Sequence, residues 1–200
     1  MTFDFEEELH RAGYGLVGGI DEAGRGPLCG NVVAACVILP DGFLPEGLND
    51  SKKLTPKKRD ALYDIITAGA VSYGIGEATP EEIDRINILN ATMLAMHRAI
   101  EAMPTKPEFA LIDGNCARGF TIPTKTVIKG DALVPSIAAA SILAKVTRDR
   151  ECLALDLQHP GYGIAKHKGY GTKQHMDALR QYGPSPCHRR SFLSFLGDGE

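Results

Sequence analysis

Hydrophobic and polar positions along the chain alternate between short β-rich runs and longer segments with helical spacing. Leu16 to Ile20 and Val32 to Leu39 are apolar runs separated by a turn carrying Gly24, Gly26, Pro27 and Gly30, and they read as an early antiparallel strand pair ended by Pro40. Past the loop Asp41 to Asn49, Thr55 as N-cap and Pro56 at the first helical position open a helix. Its Leu62, Ile65 and Ile66 share one face, and it stops at Gly69. Val71 to Gly76 reads as a third strand. Thr79-Pro80-Glu81-Glu82 then combines a capping box with a proline at N1 and opens a helical region to Met103, with Asn87 and Asn90 as the positions where it can be interrupted.

Pro104 and Pro107 stop that region, and Phe109 to Ile112 forms a short buried strand delivering Asp113-Gly114-Asn115. Thr124 to Ile128 is a further strand ending in Lys129-Gly130-Asp131. Pro135 opens the strongest helical segment, Ser136 to about Gln158, whose Ala138, Ala139, Ala140, Ser141 and Ala144 allow close packing on a sheet. His159-Pro160-Gly161 breaks it, a short helical stretch follows from Thr172 to Tyr182, and the tail is basic and then apolar. Strands come early and then interleave with helices, which predicts an α/β fold with a mixed sheet flanked by helices. The expected organisation is an α/β unit over 1–158 and a basic helical extension over 159–200 packed on it as one compact unit.

Composition sharpens this picture only in places. Two hundred residues with 44% apolar content supply a core for one soluble domain. The five cysteines are scattered without a C-x-x-C pair, so they suggest neither a disulfide framework nor a zinc knuckle. The acidic start, Met1 to His10, lacks the basic and apolar regions of a secretory signal, and no apolar run is long enough to span a bilayer; the expected location is the cytoplasm. The net charge of −3 conceals two basic islands: Ser51 to Asp60 has a surplus of four positive charges and Gly161 to Ser191 a surplus of five. Either alone reads as a solvated face. Both together, beside uncompensated acidic positions, fit a polyanion laid across a metal site.

Those acidic positions share a local grammar. Asp21, Asp113 and Asp131 each follow an apolar β run and precede a small residue or glycine, and Glu22 adjoins the first. Alone, each is an ordinary turn or capping residue. If the three strand ends are neighbours in one sheet, four carboxylates meet at one edge and cannot all ionise there without cations. Hard divalent ions with oxygen ligands, Mg²⁺ or Mn²⁺, resolve that conflict, because His and Cys are missing from these motifs. Such a site suits phosphoryl chemistry by two metal ions. Asp149, among Lys145, Arg148 and Arg150, reads instead as an ion-pair or supporting residue. No G-x-S-x-G elbow and no Walker A loop is present. His167, His175 and His188 lie in the basic region, with phosphate contact and plain solvation both open.

Seven motifs occur in order between about Gly15 and Phe192: Gly19 to Leu28, Asp50-Ser51-Lys52-Lys53-Leu54, Leu111-Ile112-Asp113-Gly114, Lys129-Gly130-Asp131, Ala139 to Val146, His167 to Thr172, and His188-Arg189-Arg190-Ser191-Phe192. Together they resemble bacterial ribonuclease HII. The resemblance implies a ribonuclease H-like fold with a C-terminal helical extension. It also implies an Mg²⁺- or Mn²⁺-dependent endonuclease, acting through two ions, that cuts the RNA strand of RNA/DNA hybrids. A further implied activity is incision 5′ to single ribonucleotides in duplex DNA, leaving a 3′-hydroxyl and a 5′-phosphate. The family's four acidic residues fall on Asp21, Glu22, Asp113 and Asp131, its glycine-arginine-glycine motif on Gly24-Arg25-Gly26, and its junction-sensing tyrosine on Tyr170.

A Gly-rich turn lets backbone groups approach a 2′-hydroxyl, and a tyrosine ring packed on the next sugar would sense a missing one. Lys52, Lys53, Lys168, Arg189 and Arg190 are expected to hold phosphates, fixing register without reading bases. Where many relatives have Gly-Tyr-Pro-Thr, this chain has Gly169-Tyr170-Gly171-Thr172, which frees the backbone just after the tyrosine. The tail from Phe192 onward shows no clear sliding-clamp peptide, and Phe192, Phe195 and Leu196 read as caps on the core. The expected partners are therefore RNA/DNA hybrid and ribonucleotide-containing DNA, with no membrane, and the chain is expected to act as a monomer. Two other readings compete: a resolvase- or integrase-like nuclease, which needs no Gly24-Arg25-Gly26 or Tyr170 element, and a non-catalytic nucleic-acid-binding module, which would have lost carboxylates.

Overall fold

The strand β2 (Val32–Ile38) is buried along its whole length, so the sheet that contains it must be covered on both faces. The computed structural model, which describes residues 1–197, shows how. β1 (Val17–Ala23), β2, β3 (Ser72–Ala78), β4 (Phe109–Asp113) and β5 (Thr124–Val127) form one sheet in the order β3-β2-β1-β4-β5. β1 to β3 are antiparallel neighbours, whereas β1, β4 and β5 run parallel. Val32, Ala34, Cys36 and Ile38 pack with Ile20 and Ile112 against α3 (Pro80–Ala102). Ala35 and Val37 pack on the other face against α2 (Pro56–Gly69) and α5 (Pro135–Gln158). Period-two alternation therefore sorts β2 between two cores.

The capping signals hold. Thr55 accepts the Lys58 amide at the start of α2, and the Thr79–Glu82 capping box closes on both sides at the start of α3. α3 breaks at Asn87 (φ 66°, ψ 164°), whose side chain accepts the Asn90 amide at 3.1 Å and so caps the second half of the helix. α5 needs small residues because it lies directly on β1. A Cβ on Gly19 would overlap the Ser136 backbone at the start of α5.

Among the elements not legible as helices, two bear on the site. The acidic start forms α1 (Asp4–Arg11), with acids in its first turn and His10 and Arg11 in its last, as the helix dipole favours. Glu6 of α1 is buried and accepts the Ser136 hydroxyl at 2.7 Å and amide at 3.3 Å. It thereby caps α5, whose own N-cap, Val134, has no side-chain acceptor. The second is α4 (Gly130–Leu133), entered through a left-handed Lys129 (φ 60°). Asp131 therefore lies on the first turn of a short helix rather than at a strand end.

The segment after α5 contains α6 (Ile164–His167), α7 (Lys173–Tyr182) and short 3₁₀ turns. It packs Tyr162, Ile164, Ala178, Leu179, Cys187 and Leu193 against Cys29 and Cys152, and Cys29 is bridged to His188. Phe192 and Leu196 pack on core clusters while Phe195 is exposed; the last three residues of the tail lie outside the described residues. Among the described residues no helix is long and apolar enough to cross a membrane.

Replacing Gly19 by alanine forces a methyl group into the Ser136 backbone, which cannot yield as a side-chain tip would. The expected loss is about 3 kcal/mol, read as a lowered urea midpoint with unchanged slope. A Gly19→Ala protein of wild-type stability would show that α5 is not pressed on β1 in this way.

Candidate active site

Three parallel strands point their carboxyl ends to one edge of the sheet, and the acidic residues gather there. Ile20 of β1 pairs with Ile112 of β4, which sets Asp21 beside Asp113, and Asp113 pairs in turn with Val127 of β5. β1 extends to Ala23, so Asp21 and Glu22 lie within the strand rather than beyond it. Lys129 then turns the chain so that the Gly130 and Asp131 amides donate to Asp113 Oδ1 at 2.7 and 3.4 Å. The four expected carboxylates thus converge, although Asp131 arrives by a helical turn.

Their electrostatics match that crowding. Burial, then the charges of Glu22 and Asp113, hold the Asp21 carboxyl well above its ordinary range. Burial likewise raises Glu22, opposed by Arg25 at 3.3 Å. Asp131 is raised by burial and by Asp113, while Lys52, 3.6 Å away, opposes the rise. A donor set made only of carboxylate oxygens, in which Asp21, Glu22 and Asp131 resist ionising, fits hard divalent cations.

A cleft of about 200 Å³ opens on this edge, and its lining includes Asp21, Glu22, Gly24, Arg25, Gly26, Lys52 and Tyr170. The backbone here is held from behind. Ser141 and Ser51, their hydroxyls 2.8 Å apart, are buried at the back, and Ser141 supports the Asp21 carboxylate. Arg59 donates to the Ser51 and Leu54 carbonyls at 3.1 and 2.7 Å and ion-pairs with Asp149 at 3.2 Å. Asp149 also holds Lys145 at 2.6 Å, the ion-pair role read from the sequence. Ser141, Lys145 and Arg148 line the cleft and were not singled out as site residues from the sequence.

The largest departure concerns Arg189. Read as a phosphate ligand, it is 0% exposed. Its guanidinium donates to the carbonyls of Gly24 (2.6 Å), Arg25 (3.1 Å), Pro27 (2.8 Å), Gly30 (2.8 Å) and Asn31 (3.1 Å). Arg148, also buried, donates to the carbonyls of Asn31, Cys29 and Lys168 at 3.2, 3.0 and 3.0 Å. The Arg189 amide donates to the Leu28 carbonyl at 2.8 Å. Every carbonyl from Gly24 to Asn31 except that of Gly26 is therefore turned onto one of two arginines. Burial, and then Arg148, lower the Arg189 pKa to about 10, so the guanidinium stays charged at neutral pH.

Gly24 sits at φ 97°, and any Cβ there would strike the Arg148 guanidinium, so both its conformation and its contacts demand glycine. The remaining cations differ. Lys53 is exposed, Lys168 is half-buried, and Arg190 lines a separate cleft with Leu179, Arg180 and Pro184. His175 and His188 are buried, so neither contacts phosphate nor is solvated. Sequence alone had no signal to separate buried Arg189 from exposed Arg190, since adjacent identical residues read alike.

A mixed sheet with parallel β1, β4 and β5, carboxylates at their common edge and a cationic rim defines a metal-dependent nuclease of the ribonuclease H-like class. The family model for Ribonuclease HII matches residues 18–195, and a ribonuclease HII from Polaromonas sp. (strain JS666 / ATCC BAA-500) is 58% identical over 89% of both chains. The chain belongs to the ribonuclease HII family: metal-dependent endonucleases that act on the RNA of RNA/DNA hybrids. Among solved structures, ribonuclease H2 from Pyrococcus horikoshii OT3 aligns with a TM-score of 0.74 and 28% identity, covering 90% of this chain and 94% of that one. RNase HII from Archaeoglobus fulgidus, solved as a complex with PCNA, aligns with a TM-score of 0.70 and 25% identity over 92% and 98% of the two chains.

If Arg189 shapes the turn, Arg189→Lys keeps the charge yet lowers activity, and leaves the salt dependence of substrate binding unchanged. Lys52→Ala should instead reduce the slope of log K against log salt by about 1, the mark of one lost phosphate contact. An Arg189→Lys protein with full activity, or with the reduced slope, would return Arg189 to the phosphate contacts.

Proposed function

We propose that this chain, besides cutting the RNA strand of RNA/DNA hybrids, incises duplex DNA 5′ to a single embedded ribonucleotide, using two divalent ions and leaving a 3′-hydroxyl and a 5′-phosphate. The observation that carries this reading is the shared cleft: Asp21 and Glu22 line it together with Gly24, Arg25, Gly26 and Tyr170. A site that only cut phosphodiesters would have no use for a rigid Gly-rich turn and an exposed tyrosine beside the carboxylates.

Asp21, Glu22, Asp113 and Asp131 would hold the ions, with Asp21 and Asp113 central because their strands are adjacent. Mg²⁺ or Mn²⁺ there would supply an activated water and stabilise the leaving oxygen. Around them the protein's own groups do the rest. Gly24, Arg25 and Gly26 bring backbone groups to the ribose, and the Gly26 carbonyl, which takes no protein hydrogen bond among the described residues, is available to a 2′-hydroxyl. Tyr170, 48% exposed, lies opposite Gly26, where an added Cβ would be 3.5 Å from the ring. Its ring would rest on the sugar at the RNA–DNA junction. Lys52 and Lys53 would hold phosphates at the rim, joined by Lys145. Action as a monomer in the cytoplasm, where five free thiols stay reduced, completes the reading.

One assay decides the reading: cleavage with Mg²⁺ or Mn²⁺ of all-DNA duplex, RNA/DNA hybrid, and DNA with a single ribonucleotide. Cutting is expected on the second and third only, and equal cutting of all-DNA would sink it. Asp21→Asn should abolish turnover and leave substrate affinity largely intact. Tyr170→Ala should lose more activity on the single-ribonucleotide duplex than on the hybrid; equal losses count against junction sensing.

A further inference from the structure

Behind Tyr170 lies a buried polar cluster that the reaction does not use. His175 on α7 is 0% exposed and His188 in the tail 3%. The Ser185 amide donates to His188 Nδ1 at 3.1 Å, the Nε2 atoms of His188 and His175 are 3.0 Å apart, and His175 Nδ1 is 3.0 Å from the Tyr170 carbonyl.

The two ends of this chain of bonds fix its protons. An amide can only donate, so His188 Nδ1 accepts and its ring proton resides on Nε2. A carbonyl can only accept, so His175 Nδ1 carries that ring's proton and its Nε2 accepts. One Nε2–H···Nε2 bond then satisfies both rings in their neutral forms. Burial, the main cause, holds His175 at about 4, well below the ordinary imidazole range, in keeping with that neutral state. Cys29 lies near enough to form a possible metal-ligand trio with the two rings, all within 4.8 Å. However, the His188 proton occupies the lone-pair position a metal would need, and the Ser185 amide blocks its transfer to Nδ1.

The backbone before Tyr170 is already tied to the Gly-rich turn, where the Leu28 amide donates to the Gly169 carbonyl at 2.8 Å, and the histidines add the tie that reaches Tyr170 itself. Tyr170 stands between Gly169 (φ 80°) and Gly171, neither of which offers a side chain to pack. Its carbonyl receives the Thr172 amide at 2.8 Å and the His175 imidazole, and its amide donates to the His167 carbonyl at 3.0 Å. At the other end, His188 bridges to Cys29 on the Gly-rich turn. The two histidines therefore connect the turn that faces the ribose with the tyrosine opposite it.

We propose that His175 and His188 are positioning residues that set Tyr170 against the Gly-rich turn, a role resting on the reading of Tyr170 as the junction sensor. They act through the Tyr170 backbone and touch no substrate.

The test compares kcat and KM on the single-ribonucleotide duplex and on the uniform hybrid. His175→Ala should lower kcat about tenfold on the first with little change in KM, and lower it about twofold or less on the second. His175→Asn, whose amide N–H can replace Nδ1–H toward the Tyr170 carbonyl, should recover most of the loss. His175→Ala added to Tyr170→Ala should cost nothing further on the single-ribonucleotide duplex. Equal losses on both substrates, additive losses in the double variant, or no rescue by asparagine would overturn the proposal. If Tyr170→Ala itself shows no substrate preference, the junction reading fails and the proposal with it. Should His175→Ala not fold, the same comparison on His188→Phe, which keeps a ring but has no N–H to donate to His175, decides.

Discussion

The turn between β1 and β2 cannot satisfy its own carbonyls. Built from glycines and a proline, it forms neither helix nor ladder from Gly24 to Asn31, yet most of it is sheltered from water. Unpaired buried carbonyls would cost about 1 to 3 kcal/mol each. Arg148 and Arg189 remove that cost with a fan of hydrogen bonds converging from two directions. The arginines in turn depend on the turn, because a buried guanidinium without acceptors is far costlier than an exposed one. Each half is stable only in the presence of the other, so the turn has one conformation rather than several.

That mutual dependence fixes how the catalytic edge is assembled. β1 places Asp21 and Glu22 just ahead of the turn, so a turn locked by Arg148 and Arg189 also locks the geometry between the carboxylates and the Gly24 to Gly26 backbone. On the other side, Arg59 fastens the Ser51 to Leu54 loop and Ser141 supports Asp21. Carboxylates packed this closely repel one another, and such a group stays together only on a rigid frame. Here the frame is α5: it carries Ser141, Lys145, Arg148 and Asp149, and small residues bring it down on the sheet close enough for all four to reach.

Much of this was legible in the sequence, and the failures have physical reasons. The four carboxylates could be found because acidic residues at or just beyond apolar β runs are a local signal, and the caps at Thr55 and Thr79 are local too. The strand neighbours β1, β4 and β5 are not local, so the convergence of Asp21 with Asp113 could only be inferred from the charge problem it creates. Asp131 was assigned to a strand end because nothing in Lys129-Gly130-Asp131 announces a left-handed lysine. Arg189 was misplaced because a buried arginine and a phosphate-binding arginine share one composition; what separates them is whether five carbonyls wait for its guanidinium about 160 residues earlier, a tertiary fact. His175 and His188 were misread for the same reason.

These long-range contacts also bear on how the chain divides. A boundary near 158, drawn where the helix breaks, separates Arg148 from the Lys168 carbonyl it binds and Arg189 from the turn it organises. Cys29, from the turn, is bridged to His188 and packs among residues of the extension. The extension therefore completes the site rather than decorating it, since without it the turn would lose Arg189 and Tyr170 would be absent altogether. Cleavage and recognition then have a common mechanical origin: the carboxylates cannot be set without the turn, and the turn cannot be set without the last thirty or so residues of the described chain. On the proposed reading, in which the Gly24 to Gly26 backbone and Tyr170 tell a 2′-hydroxyl from its absence, this arrangement keeps the reading groups and the carboxylates from drifting apart.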